Sequence, residues 1–372
     1  MKPSCALDCL LVADDLTGAC DAAVHFALRG LRPTTVVLDQ PPTVSARVLA
    51  VSTESRDLPP EEIRRAMSAV AARFAVDAGT LIFKKIDSTL RGNTGLEIAA
   101  ALDAFQCDAA VVCPAFPNMQ RVVERGYLKV TGAPDFVPVD VAGRLQSQSG
   151  RQCAQVGWEG AAAMLAAGAA LVSLDATSDR DLDCAVAAIV ATGRRILWAG
   201  SAGLASALAR RLGEASAPLP VPTQRGATLF CLGSDHDVTL GQQSRLLEAL
   251  PCVLLHPHQA TRHAIAEALA NGNHVVLRIP RGKVSAEVVR GLISGAPAAA
   301  LAVCGGDTAS LVCRAAGVTR IELLDEIAPG VPRGILHGGI FDGLPVATKS
   351  GGFGNRDTLI QVADFFACPN PT

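Results

Sequence analysis

Aromatic side chains make up only 4% of this 372-residue chain, and tyrosine occurs once. An interior this poor in rings must be built from Ala, Val and Leu, as in α/β proteins with many buried strands and small-residue helices. Blocks of like charge are also missing. With a formal net charge of −2 and a pI near 6.4, the composition argues against a nucleic-acid or membrane-surface partner. No apolar run is long enough to span a bilayer, since Ala161 to Leu174 is interrupted at Gly168. The first residues carry one short apolar run, Cys9 to Ala13, and then two aspartates, which is not a signal-peptide pattern. A soluble cytoplasmic protein is expected. The chain has twelve cysteines but no Cys-x-x-Cys pair, so neither a zinc nor a redox motif is indicated and the thiols read as small buried hydrophobes. His256, His258 and His263 form the only histidine cluster. It reads as a surface loop and helix start, with a metal as the lesser alternative.

What is present is repeated alternation of short apolar runs with small-residue helical segments. Such alternation implies mainly parallel sheets covered on both faces, and the length predicts two domains. The stretch 214–226 carries three prolines and no apolar periodicity, so it reads as a linker. The expected architecture is α/β with two domains, 1–213 and 227–372, each a mainly parallel sheet flanked by helices.

The densest chemistry lies in Lys84-Lys85-Ile86-Asp87-Ser88-Thr89-Leu90-Arg91-Gly92-Asn93, directly after the apolar run Leu81-Ile82-Phe83. If Leu81 to Lys85 is a strand, the polar cluster falls at its carboxyl edge, where open α/β sheets bind ligands, and Asn93 or Thr94 is placed to cap the next helix. Cations that match carboxylate or phosphate oxygens, beside an aspartate that can accept a hydroxyl proton, suit a small polyhydroxylated anion. The bland reading is a salt-bridged loop. A second site candidate is Asp14-Asp15 at the turn from the first strand into a helix: such carboxylates orient or deprotonate a hydroxyl, hold Mg²⁺, or simply cap the helix. Arg56 follows a third strand and can fork onto a carboxylate, or be a plain surface residue.

The second half carries three glycine-bearing turns: Gly233-Ser234, Gly305-Gly306-Asp307-Thr308, and Lys349-Ser350-Gly351-Gly352. Each alone is a weak signal; together they suggest a nucleotide site at helix N-termini. Neither a P-loop nor a dinucleotide fingerprint is present.

These residues together resemble the four-carbon acid sugar kinases, ATP-dependent enzymes that phosphorylate threonate, erythronate or 3-oxo-tetronate. The match is carried by Val12-Ala13-Asp14-Asp15-Leu16-Thr17-Gly18-Ala19, Thr53-Glu54-Ser55-Arg56, Lys84 through Gly92, Gly200-Ser201-Ala202-Gly203-Leu204, Gly305-Gly306-Asp307-Thr308 and Lys349 through Gly354. The resemblance implies a sugar-acid-binding N-terminal domain and an ATP-binding C-terminal domain, with the active site in the interdomain cleft. It places Asp14, Asp15, Arg56, Lys84, Lys85, Asp87 and Ser88 around the acid. Ser234, Gly305, Gly306, Asp307, Thr308, Lys349, Ser350, Gly351 and Gly352 would hold ATP with its Mg²⁺. Asp15 or Asp87 would be the base, with Lys85 or Arg91 offsetting charge on the transferring phosphoryl group. One departure is Asp235-His236 where many relatives continue with Cys-Ser, which puts charge near the expected phosphates. An aspartate-dependent phosphatase and a non-catalytic sugar-acid sensor are the rival readings, and a homodimer is left open.

Overall fold

An apolar run without polar alternation makes a strand only if both its faces are covered, and β1 (Cys9–Ala13) is buried at every position. The structure, a computed structural model, describes residues 7–38, 46–74, 76–133, 135–217 and 226–367. From β1 the chain enters α1 (Leu16–Ala27), then β2 (Thr34–Val37), β3 (Val48–Ser52) and α2 (Pro60–Arg73). It continues through β4 (Leu81–Lys85), α3 (Thr94–Ala104) and β5 (Ala109–Cys113). The hairpin β6 (Arg121–Glu124) and β7 (Tyr127–Val130) turns at Arg125 and Gly126, both at positive φ, as a two-residue hairpin turn with the strands' own twist requires. Next come β8 (Val139–Asp140), α4 (Val141–Ser149), β9 (Ala154–Val156) and α5 (Ala161–Ala166). The half ends with β10 (Leu171–Leu174), α6 (Asp179–Val190), β11 (Ile196–Gly200) and α7 (Ala202–Leu212).

The second half runs β12 (Thr228–Leu232), α8 (Asp237–Ala249), β13 (Cys252–Leu255), α9 (Arg262–Ala270), β14 (His274–Arg278) and α10 (Ala286–Ile293). It closes with β15 (Ala300–Cys304), α11 (Gly306–Ala316), β16 (Arg320–Ala328), β17 (Val331–His337), β18 (Pro345–Lys349) and α12 (Thr358–Ala367). Two compact units result: Met1–Thr34 with Pro41–Ser216, and Thr35–Gln40 with Ala217–Thr372. The second therefore takes in a strand from the N-terminal half, and Leu38 N–H donates to Thr319 O within it. Most of the expected linker, 218–225, lies outside the described residues.

In the first unit the parallel strands run β3-β1-β4-β11-β5-β10-β9. The order reverses at β1, whose first partner in sequence lies on one side and whose second lies on the other. Such a switch point opens a crevice at the carboxyl ends. Register makes this specific: Ala13 stands opposite both Ser52 and Lys85, so the segments after β3, β1 and β4 leave the sheet side by side.

The second unit repeats the device in the order β13-β14-β12-β15-β18, all parallel, with β17 and β16 added antiparallel. Leu232 pairs with Arg278 and Cys304, and Cys304 with Lys349, so four strand ends are level. One face is sealed by a core of Phe230, Leu246, Val276, Leu359 and Phe366. Among the described residues no helix is long and apolar enough to cross a membrane.

Candidate active site

The turn after β1 begins the first-unit site. Asp15 is the N-cap of α1, its Oδ1 accepting from Gly18 N–H at 2.5 Å and from Thr17 Oγ1 at 3.3 Å. The capping reading thus applies to Asp15 through Oδ1, and Oδ2 is left to face Arg56. The loop after β3 is tied to this turn, Thr53 N–H donating to Ala13 O and Ser55 N–H to Asp14 O. That pairing delivers Arg56. Its Nε donates to Asp14 Oδ2 at 2.7 Å, its Nη1 lies 2.7 Å from Asp15 Oδ2, and its Nη2 lies 3.8 Å from Asp87 Oδ2. A single guanidinium thus gathers three aspartates.

Asp87 is anchored by its own loop. Oδ1 accepts from Thr89 N–H and Oγ1 at 3.0 and 2.5 Å, and Oδ2 from Arg91 Nη2 at 2.6 Å. Ser88 is buried next to it. Two non-glycine residues at positive φ, Glu54 (50°) and Leu90 (59°), lie in the loops that carry Arg56 and Asp87. Backbone strain held in this way concentrates at functional sites. Gly92 is required here, since at φ 76° a Cβ would also lie 2.8 Å from Arg56 Cγ.

The two lysines of the expected polar cluster sit in the interior. Lys84 and Lys85 are the last residues of β4 and are both buried. Lys84 Nζ lies 3.1 Å from Glu97 Oε2 on α3, and Glu97 Oε1 accepts from Ser55 Oγ. Lys85 Nζ donates to Ile86 O at 2.9 Å and stands 3.9 Å from Asp21 Oδ2 on α1. Charge this dense survives in an interior because it is paired. Asn93 takes the N-cap position of α3 without a side-chain cap, its Nδ2 donating to Leu58 O instead.

These surroundings push neighbouring carboxyls apart. Burial opposes the charge on Asp14, but Arg56 and then Lys84 outweigh it and hold the group below the usual carboxylate range. For Asp15, burial and then the adjacent Asp14 charge win against Arg56 and lift it above that range. Asp87, although buried, is held well below it by the hydrogen bonds and charge of Arg91. Burial raises Glu97 against the field of Lys84.

In the second unit the three glycine turns meet, and a fourth loop joins them. A Cβ on Gly351 would lie 2.1 Å from Ser234 Oγ, one on Gly233 would lie 1.8 Å from Thr308 Oγ1, and one on Gly305, whose φ is 101°, 3.4 Å from Ser234 N. Only glycine lets these backbones approach so closely, which is the construction a phosphate-binding cradle needs. Gly306, Asp307 and Thr308 form the first turn of α11, and His236 caps α8 through Nδ1, which accepts from Val238 N–H. The charge expected of Asp235 is met by Arg278 Nη2, and Asp307 pairs with Arg281. Arg278 ends β14 and Arg281 follows it, and neither is marked by a sequence motif. Lys349 faces inward, its Nζ donating to Ser350 O, Gly351 O and Phe353 O at 2.9, 3.2 and 3.0 Å. It therefore shapes the Ser350-Gly351-Gly352 turn.

Gly200 and Gly203 serve packing. Cβ atoms there would meet Cys113 O at 2.5 Å and Ala115 O at 2.3 Å, and Ser201 Oγ donates to Ala115 O. Among the described residues no group of three or more His, Cys, Asp or Glu is placed to hold a metal. His256 and His258 lie with ring centroids 5.8 Å apart, and exposed His263 pairs with Glu267 on α9.

The two halves match separate families, described as a sugar-binding N-terminal domain over residues 9–208 and a nucleotide-binding C-terminal domain over 229–359. The D-threonate kinase of Bordetella bronchiseptica is 34% identical over 400 residues, covering 95% of this chain and 96% of that protein. The chain belongs to the four-carbon acid sugar kinase family. Membership makes it a phosphotransferase with an alcohol group as acceptor. A D-erythronate kinase of Heliobacterium modesticaldum is 27% identical over 96% of both chains. A 3-oxo-tetronate kinase of Cupriavidus necator is 28% identical over 93% of this chain and 94% of its own. A solved structure from Salmonella typhimurium LT2, described as a putative tRNA synthase, superposes with TM-score 0.75 at 22% identity, covering 95% of this chain and 98% of that one. At that identity the likeness is one of fold.

Proposed function

We propose that this family member transfers the γ-phosphoryl group of ATP to the terminal (4-) hydroxyl of a four-carbon sugar acid such as threonate, erythronate or 3-oxo-tetronate. The observation that carries the reading is Arg56 gathering Asp14, Asp15 and Asp87 at one switch point. Phosphoryl transfer asks the protein to align donor and acceptor and to neutralise spreading charge. Adjacent carboxyls whose proton affinities are driven apart supply an acid-base assignment. Asp15, the one lifted by burial and by Asp14, accepts the hydroxyl proton, while Asp14 and Asp87 stay ionised and fix the guanidinium groups. Arg91 is two-thirds exposed and Arg56 partly so, and these two cations take the substrate carboxylate.

The nucleotide fits the second unit. Ser234, Gly305 to Thr308, and Gly351 with Gly352 surround a backbone cradle at the starts of α8 and α11. Mg²⁺ would enter with the triphosphate held by these turns and would offset the phosphate charge there. Turnover requires the γ-phosphoryl group and the terminal hydroxyl to be aligned in the reacting state.

The test is phosphorus NMR of product formed from MgATP and threonate, with native protein and with Asp15→Asn. Asparagine caps helices as well as aspartate, so the substitution spares α1. A phosphate monoester on the terminal carbon, lost with Asp15→Asn, supports the reading. Inorganic phosphate released from a sugar phosphate without ATP favours the phosphatase instead.

A further inference from the structure

Asp21 is a buried carboxylate that the mechanism above leaves unused. It lies on α1, with Oδ2 3.9 Å from Lys85 Nζ and Oδ1 without a hydrogen-bond partner. The charged groups acting on it are Lys85 from β4, Asp15 from the N-cap of α1 and Arg121 from the start of β6. It also belongs to a larger balance. Asp14, Asp15, Asp21, Asp87 and Glu97 are set against Arg56, Lys84, Lys85, Arg91 and Arg121, five carboxyls against five cations, each interacting with others of the set. When all are ionised their sum is zero. A monoanionic substrate entering such a site adds one negative charge beside buried carboxylates, which is costly unless something offsets it.

We infer that Asp21 takes up a proton from solvent when the carboxylate of the sugar acid binds, so that substrate binding in the first unit is coupled to protonation. Asp21 is the group placed to do so, because a protonated carboxyl leaves no anion beside its unpartnered oxygen, and Lys85 is then released to offset charge nearer Asp15. Asp21 acts through Lys85 and Asp15, so it is a positioning residue. Its proton affinity suits the role: burial first, with Asp15 reinforcing and Lys85 opposing, lifts the carboxyl to about 6. Binding an anion raises it further, because a nearby like charge disfavours the ionised carboxyl. The sign follows: the protonated form favours the anion, so affinity for the acid falls as pH rises above about 6, at a limiting slope of about tenfold per pH unit.

The inference rests on the sugar acid binding in the first unit, and two measurements separate the ideas. Infrared difference spectra of the unliganded native protein should show a buried carboxylic C=O band that titrates near pH 6 and is missing in Asp21→Asn. Absence of that band in the native protein overturns the assignment. Calorimetric titration with threonate and erythronate, in Tris and in a sulfonate buffer at neutral pH, should then show net proton uptake by the native protein and none by Asp21→Asn, whose KM for the acid should also lose its rise with pH. Binding without uptake, or uptake that persists in Asp21→Asn, overturns the coupling alone. No binding of either acid overturns the substrate reading and takes the coupling with it.

Discussion

Arg56 and Asp14 are 42 residues apart in sequence, and the Arg56 Nε–H donates to Asp14 Oδ2 across 2.7 Å. With Nη1 on Asp15 at the same distance, the guanidinium is shared between the two halves of the aspartate pair. Lysine offers one point charge and cannot span both. Arg56→Lys should therefore lower kcat/KM for the sugar acid by about 100-fold, the scale of disrupting one partner of a buried charge pair. Nucleotide affinity should be unchanged. Steady-state kinetics with each substrate varied in turn checks both parts.

Gly351→Ala should weaken nucleotide binding, because its Cβ would collide with Ser234 Oγ at 2.1 Å. Overpacking of this kind costs about 1–3 kcal/mol, so a rise of about tenfold or more in the Kd for ATP is expected. Adding Ser234→Ala removes the colliding atom and should restore part of the loss if collision is the cause. Titration calorimetry of the single and double variants decides it.

Lys84 is fully buried on Glu97. Removing one partner leaves an uncompensated charge in the interior, at a cost of about 3–5 kcal/mol. Lys84→Met should unfold at correspondingly lower urea, and Lys84→Met with Glu97→Leu should recover much of the difference. Chemical denaturation monitored by circular dichroism measures this.

Opposite pH dependences are expected for Asp21 and Asp87. The folded state holds the Asp21 proton up to about pH 6, whereas an unfolded aspartate loses it near about 3.9. Stability from Asp21 is therefore present below the unfolded value and lost as pH rises toward 6. Asp21→Asn should gain on the order of 2–3 kcal/mol at pH 8 and little at pH 3. Asp87, held well below the usual range, contributes stability above the unfolded value that disappears as pH falls, so Asp87→Asn should be destabilised at neutral pH and converge on the native protein in acid. Urea midpoints across pH separate the two.

Much of the scaffold was legible because the central strands carry apolar runs that end in polar or glycine residues. Leu81–Lys85, Ala109–Cys113, Thr228–Leu232 and Ala300–Cys304 are strands at those bounds. What sequence could not show is partnership over distance. Nothing local marks Glu97 as the counterion of Lys84, Asp21 as the neighbour of Lys85, or Arg278 as the partner of Asp235, since each pair is made by sheet order. The β16–β17 hairpin has a local signal, the Pro329-Gly330 dipeptide between two β-rich runs. The crossing of Thr35–Gln40 into the second unit carried none. Gly200 and Gly203 stand in sequence only as part of a family-like motif, whereas the close approach of the Cys113 and Ala115 carbonyls is what excludes a side chain there.

The most direct test of the whole account is ADP release, coupled to a dehydrogenase assay, with MgATP and a panel of four- to six-carbon sugar acids. Release that depends on a four-carbon acid bearing a free terminal hydroxyl, and that is lost in Asp15→Asn, is the expected result. ADP release indifferent to the acid, or confined to longer acids, would contradict it.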